Sequence, residues 1–437
     1  MKLNTRRTVD VGFAFMSICA FWQIYDSIVP LMLKNTFGID GTLKGVIMAL
    51  DNVLALVLLP VLGALSDRTQ TRFGRRMPFI VCGTAASVVF LMLLPLADDL
   101  VNLPLFCAAL GLVLLSMASY RSPAVALMPD VTPKPLRSKG NAVINLMGTI
   151  GGIAALLSIN FLVPDSGKPD YLPLFAVLAG FMLICIGILV LRVNEPALCR
   201  LAAEETAAMH YAEQEEEDNA GKKLPKDVRR SLILILASVF LLFMGYNAVS
   251  TWFSTYATTV WGMKGGSFSL PLTVAQGAAL AAYVPVGALS SRIGRKRTIL
   301  CGAAVLALCF GSCLFFTAFS PVIYVLFVLA GAGYAAIIVN IFPMVWEMCR
   351  GADVGRYTGY YYTMSMSAQI ITPIVSSALM SAGYRFLGSA DPDAGYALLF
   401  PYAAVFIAGC FVTMTMVRHG DAKPVKKSAL EAFDVDD

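Results

Sequence analysis

"GALSDRTQTRFGRRMPFI", residues 63–80, sets five charged side chains between two long apolar runs. The rest of the chain is unlike it. Of 437 residues, 58% are hydrophobic and 14% charged, and the mean hydropathy is +0.72. A soluble domain carries about 25% charged residues, so this chain cannot clothe itself in a water-facing surface. Its apolar runs reach about 20 residues or more, the length that crosses roughly 30 Å of hydrocarbon at 1.5 Å per residue. The chain therefore reads as an all-α integral membrane protein, and the charged stretch as a turn at one membrane face.

Apolar blocks near 9–33, 43–66, 78–97, 103–128, 140–163, 172–193, 230–261, 270–290, 298–318, 322–349, 357–383 and 396–418 predict twelve transmembrane helices. The N-terminus is basic like a signal peptide, but its apolar run is too long and lacks a small-residue cleavage site. It reads as a retained first span. One connection is long, 194–229, polar and of mixed charge. It separates a first six-helix bundle (1–193) from a second (230–418), with a tail at 419–437. The start of this linker has the composition of a helix lying along the inner membrane face. Its acidic run Glu213–Asp218 reads as solvated, and the tail as disordered. With both termini in the cytoplasm, 27 of the 33 Lys and Arg fall on inner segments. Lys34, Lys44, Lys168, Lys264 and Arg385 fall outside and Arg121 lies within a span, the asymmetry that the positive-inside rule describes.

Eight of the ten cysteines lie inside apolar blocks, where a thiol acts as a small hydrophobe. No CxxC or Cys/His cluster appears, so neither a metal nor a cofactor is expected, and no nucleophile–base pair marks an enzyme. The net charge of +5 follows the membrane, not a nucleic acid. A monomer in the cell membrane is expected.

The opening stretch has an echo. "PVLGALSDRTQTRFGRR" at 60–76 is matched by "PVGALSSRIGRKR" at 285–297, and "RSKGN" at 137–141 by "RYTGY" at 356–360. Parallel six-span repeats place a binding site between two bundles near the midplane. G-x-x-x-D-R followed by G-R-R or G-R-K in both halves resembles the signature loop of the major facilitator superfamily. The extended "SDRTQTRFGRRMPFI", with "YRSPAVALMPDVTP" at 120–133 and "LRSKGNAVINLMG" at 136–148, is similar to the glycoside–pentoside–hexuronide:cation symporters, and within them to the sucrose:proton branch. The resemblance implies a sugar symporter working by alternating access. The chain departs from the pattern in two respects. Ser291 stands where the first repeat has Asp67, and Ala55 and Leu59 stand where sodium-using members carry carboxylates. Protons are thus the expected coupling ion.

The charged turn reads as a cytoplasmic gate. Gly63 permits close helix approach, and Asp67 can accept hydrogen bonds from a facing helix N-terminus. Arg68, Arg72, Arg75 and Arg76 can reach acids on neighbouring helices or anionic lipid. Asp130, Arg137, Arg292, Glu347 and Arg356 complete the expected gate. The plainer alternative is that the arginines only fix topology.

Three ionisable residues lie well inside spans, where each costs about 2.5–3.5 kcal/mol on insertion scales. Asp26 and Asp51 fall about 5 Å outside the midplane and Arg121 roughly 8 Å inside it. Side chains tilt toward the helix N-terminus, so Arg121 can reach the carboxylates. A salt-bridged trio is expected, in which moving the guanidinium changes the proton affinity of Asp26 or Asp51. A permanent structural bridge is the alternative. Both histidines, His210 and His419, lie outside the spans, so a histidine relay is excluded.

Polar stripes mark the expected sugar-facing surface: Trp22 and Gln23 beside Asp26 on span 1, Asn141 and Asn145 on span 5, Tyr246, Asn247 and Trp252 on span 7, Tyr362 and Gln369 on span 11. Such stripes also serve helix packing. The rival readings are a proton-driven drug or metabolite exporter and a non-transporting sensor.

Overall fold

The computed structural model describes residues 4–133, 136–165, 168–208, 225–347 and 354–420. These contain fourteen α-helices: α1 (Thr5–Asn35), α2 (Gly41–Arg68), α3 (Met77–Leu91), α4 (Leu93–Asp99), α5 (Leu103–Asp130), α6 (Arg137–Leu162), α7 (Leu172–Arg192), α8 (Glu195–Ala208), α9 (Lys226–Thr259), α10 (Ser269–Ile293), α11 (Arg295–Cys313), α12 (Val322–Glu347), α13 (Val354–Phe386) and α14 (Leu399–Met416). Helix starts follow local chemistry. The Asn4 side chain accepts from the Arg7 N–H at 3.2 Å and Asn102 from Leu105 at 3.0 Å, each satisfying a first-turn donor. The expected third span is broken at Met92 into α3 and α4. Pro95 has no N–H to return to the carbonyl of Leu91, which loosens the ladder there.

α3 and α4 share one crossing, and α8 is the short polar helix expected at the start of the linker. Twelve spans remain. Eleven are long and apolar enough to cross a bilayer by composition. The twelfth, α13, has 33 residues but is diluted by Tyr, Ser, Thr and Gln. Its polarity has a structural reason: it faces the seam between the halves.

In the first half α1 packs on α6 and α7, and α5 on α2 and α3; in the second α9 packs on α13 and α14, and α12 on α10 and α11. The halves meet where α2 touches α13, α6 touches α10 and α1 touches α9. Contacts across the seam cluster on the face opposite the chain ends, here termed distal. Lys34 Nζ meets Asp393 Oδ1 at 2.6 Å. Lys44, 1% exposed, pairs with Asp40 at 3.0 Å and donates to the Tyr396 hydroxyl at 2.5 Å. That hydroxyl in turn donates to Asp40 at 2.5 Å, and the Lys44 ammonium lies 4.9 Å from the Trp252 ring. The Gly266 N–H donates to the Val163 carbonyl at 3.0 Å. Gly45 lets α2 lie directly on α13, since a Cβ there would sit 2.4 Å from the Pro373 carbonyl oxygen. Burial alone would push the Asp40 carboxyl up. The Lys44 charge, the Tyr396 hydroxyl and the Gly41 N–H outweigh it and hold Asp40 below the usual carboxylate range.

Toward the terminal face the facing helices splay. Val57, Val61 and Leu65 of α2, Asn141 and Asn145 of α6, Val284 (81%) of α10 and Tyr362 (54%) of α13 are exposed. The space between the halves is therefore closed distally and open terminally.

Candidate functional site

The site is built on α1, α2 and α5 of one half and α9, α10, α12 and α13 of the other. Fully buried Tyr120 donates to the Ala14 carbonyl at 2.8 Å and also bonds the Ser17 hydroxyl, pinning α5 to α1. The next residue, Arg121, then lies against α1, its guanidinium carbon 5.5 Å from the Trp22 ring centre, a cation–π contact. Asp26, Asp51 and Cys19 are its charge neighbours. The expected trio is thus gathered at one place, each member half-buried. It is not salt-bridged: Arg121 forms no ion pair with either acid among the described residues. The guanidinium is held over Trp22, and the Asp51 carboxylate takes the Asn52 amide at 2.8 Å.

At mid-depth a hydrogen bond crosses the seam. The Gln276 amide of α10 donates to the Gln23 carbonyl of α1 at 2.5 Å. The indole N–H of Trp22, the Tyr25 hydroxyl and the Asn247 amide nitrogen are buried and partnerless among the described residues. Such groups cost about 1–3 kcal/mol each unless something supplies an acceptor. Tyr246 stacks on Tyr334 with ring centres 3.9 Å apart and planes 13° apart. Tyr283 and Tyr361 are neighbours of Tyr334, which gives this half an aromatic wall.

Other expected sugar contacts are differently engaged. Trp252 is fully buried under Lys44, its indole donating to Ser376 at 2.7 Å, so it belongs to the distal closure. Asn145 returns its amide to the Asn141 carbonyl at 2.8 Å, while Gln369 donates to Ser365 at 3.2 Å. Asn141 and Tyr362 stay exposed. No three His, Cys, Asp or Glu side chains among the described residues converge as a metal site requires.

The charged turn departs from expectation in its partners. Asp67 does not face a helix N-terminus of the other half; it pairs with buried Arg76 of its own turn. Arg76 also reaches Asp130 at 3.0 Å and the Ser66 hydroxyl, and Arg75 reaches Asp130 at 2.8 Å. The knot therefore ties α2, α3 and α5 within one half. Gly63 lies near Ser122 of α5, again inside the half. At this turn the helix N-terminus that receives a carboxylate is that of α3, and its ligand is Glu195. Glu195, 1% exposed, accepts from the N–H groups of Arg75, Arg76 and Met77 at 2.9–3.0 Å. Gly74, at φ +110°, is the only residue type that fits beside it, because a Cβ would lie 2.2 Å from Glu195 Oε2. Arg68 and Arg292 are exposed, and Arg137 donates to the Pro129 carbonyl at 3.1 Å. The Glu347 and Arg356 side chains lie outside the described residues.

Glu195 and Gln276 escaped the reading of the sequence, although both left a signal. Glu195 is an acid just after span 6, on a face that otherwise collects bases. Gln276 is a lone amide in the apolar run "TVAQGAAL". The meeting of Lys44 with Tyr396 left none, since the two are 352 residues apart.

The model of the Major Facilitator Superfamily matches residues 11–282 and 258–433. Proton-associated sugar transporter A of Mus musculus is 31% identical over 137 residues, covering 29% of this chain and 18% of that protein. Solute carrier family 45 member 3 of Homo sapiens is 30% identical over 186 residues, covering 39% and 33%. The chain thus spans at most a third of the length of these two relatives. The cis,cis-muconate transport protein of Acinetobacter baylyi is 26% identical over 312 residues, covering 69% and 70%. Among solved structures, the inward open xylose transporter XylE from E. coli superposes with a TM-score of 0.67 over 97% of this chain and 98% of that one, at 14% identity. A proton dependent oligopeptide transporter reaches 0.70 over 95% and 98%, also at 14%. At such identities the likeness carries the fold alone. Twelve spans, a repeated signature turn, a seam opened from one face and a family match along nearly the whole length converge: this multi-pass membrane protein belongs to the major facilitator superfamily.

Proposed function

We propose that the protein is a proton-coupled symporter of a sugar or glycoside, with a sucrose-like disaccharide as the favoured cargo, working by alternating access. The observation that carries this reading is the meeting of two polar fields in one open space. Asp26, Asp51 and Arg121 stand on one half. Partnerless N–H groups of Trp22 and Asn247 and the Gln23–Gln276 pair line the seam. A polyhydroxylated ligand offers acceptors to those donors and flat faces to the tyrosine wall, and an exporter of apolar compounds needs neither. The sugar-transporter relative and the sucrose-branch motifs support the same class. With the termini in the cytoplasm, the open face is the inner one and this conformation is the releasing state.

In this reading Asp26 or Asp51 carries the proton. Arg121, unpaired with them here, would approach as the seam rearranges, favour the charged carboxylate and expel the proton. A guanidinium cannot itself give up its proton, so it acts as the fixed counter-charge. The muconate relative supports a second cargo, a dicarboxylate gripped by Arg121. Two acids beside one guanidinium disfavour a dianion, and the sugar reading is preferred.

The test is uptake into proteoliposomes of labelled sucrose, other glycosides and muconate, with pH and sodium gradients imposed separately. Sugar accumulation driven by an inward proton gradient is expected, and Asp26→Asn or Asp51→Asn should abolish accumulation while sparing exchange. Sodium-driven uptake indifferent to pH, or normal accumulation in both variants, overturns the coupling. Accumulation of muconate alone overturns the cargo.

A further inference from the structure

A cleft at the terminal face plays no part in the transport reading. It opens between the start of α1 and the end of α7, with a volume of about 150 Å³, room for roughly five waters. Asn4, Arg6, Arg7, Asp10 and Arg192 line it beside Val193. Three arginines thus line it with one acid, and that carboxylate is already engaged: Asp10 Oδ1 meets Arg192 at 3.3 Å. Arg7 is 7% exposed. One arm of its fork pairs with Glu205 of α8 at 2.8 Å. The other, Nη1, is buried and has no acceptor among the described residues. The same cleft receives the N-terminus of the 31-residue α1, whose first turn carries no acid. The positive end of that helix dipole is therefore not offset by its own sequence.

We propose that this cleft binds a phosphate group, presented by an anionic phospholipid or as the free ion. A phosphate brings several acceptor oxygens to one point. It suits guanidinium forks bidentately and suits a helix N-terminus. Basic pockets between transmembrane helices are a recurrent seat for lipid head groups, and α1 and α7 both leave the spanning region here. Through Arg7 and Glu205 an occupant also braces α8, and with it the start of the linker between the halves. The site stands independently of the cargo and coupling ion proposed above.

The experiment uses the full chain in neutral detergent and phosphate-free buffer. Native mass spectrometry counts bound phosphatidylglycerol against phosphatidylcholine, and a thermal melt is run with and without inorganic phosphate. Arg6→Gln and Arg192→Gln alter exposed side chains and are the informative variants, since Arg7→Gln strands Glu205 and can fail to fold. Preferential retention of phosphatidylglycerol, falling about fivefold with each variant, supports the site with a lipid source. A midpoint raised by inorganic phosphate and unmoved in the variants, with no lipid preference, supports it with the free ion. Equal retention of the two lipids with no response to phosphate overturns the proposal, as do variants that bind like the parent.

Discussion

Tyr396→Phe isolates the energy with which the two halves hold the distal face shut. The hydroxyl accepts from Lys44 and donates to Asp40, both at 2.5 Å, and it is the second half's contribution to that cluster. Bonds to charged groups are worth about 1.5–3 kcal/mol each. Part of the loss is offset, because Lys44 and Asp40 keep each other at 3.0 Å. The phenyl ring also retains its place 4.6 Å from Lys34 and 5.0 Å from Lys44. The net weakening of the closed form is about 2 kcal/mol, a shift of roughly 30-fold, so that a distal-open population of about 1% becomes about a quarter. Spin labels on exposed Thr42 at the distal start of α2 and exposed Ala390 of the second half report this by double electron–electron resonance. Native Cys82, Cys107 and Cys301 are exposed and must first be replaced. A second, longer distance is expected in Tyr396→Phe. A distribution identical to the parent's would refute the assignment of the closure to this cluster.

The same labels test two further points. Gly45→Ala would place a methyl 2.0 Å from the Ser377 hydroxyl and 2.4 Å from the Pro373 carbonyl, at a cost of about 1–3 kcal/mol. It should open the distal face without touching a charge; an unchanged distance would show that α2 and α13 yield there. Asp40 titrates below the usual carboxylate range in the closed form, so it favours closure above about pH 4 and loses that effect only as pH falls through its lowered value. Its contribution is therefore flat from pH 5 to 7, and in Asp26→Asn/Asp51→Asn the distances should not change across that window. A slope there would assign the closure another titrating group. Glu195→Ala strips the N–H groups of Arg75, Arg76 and Met77, leading into α3, of their acceptor and should cost about 3 kcal/mol, lowering the thermal midpoint by several degrees, with Glu195→Gln intermediate. Equal midpoints would remove Glu195 from the bracing of the turn.

Much of the fold was legible because its signals are local and repeated. Twenty-residue apolar runs mark spans in any context, since an unsatisfied backbone cannot cross hydrocarbon. The twice-written signature turn exposed the repeat. Even the linker helix was visible in composition. Span edges moved by up to five residues, and the break at Met92 was missed, because caps and proline kinks act within single turns.

What the sequence alone determined is the class, the number of spans and the rarity of charge within them, all consequences of the free energy of placing residues in oil. Tertiary structure alone decided partnership. Arg75 and Arg76 of the turn bind acids of their own half, Asp26, Asp51 and Arg121 gather without a salt bridge, and Lys44 closes the far face with Tyr396, some 350 positions away. Polar groups in a low-dielectric interior take the nearest partner in space, and spacing along the chain does not encode that distance.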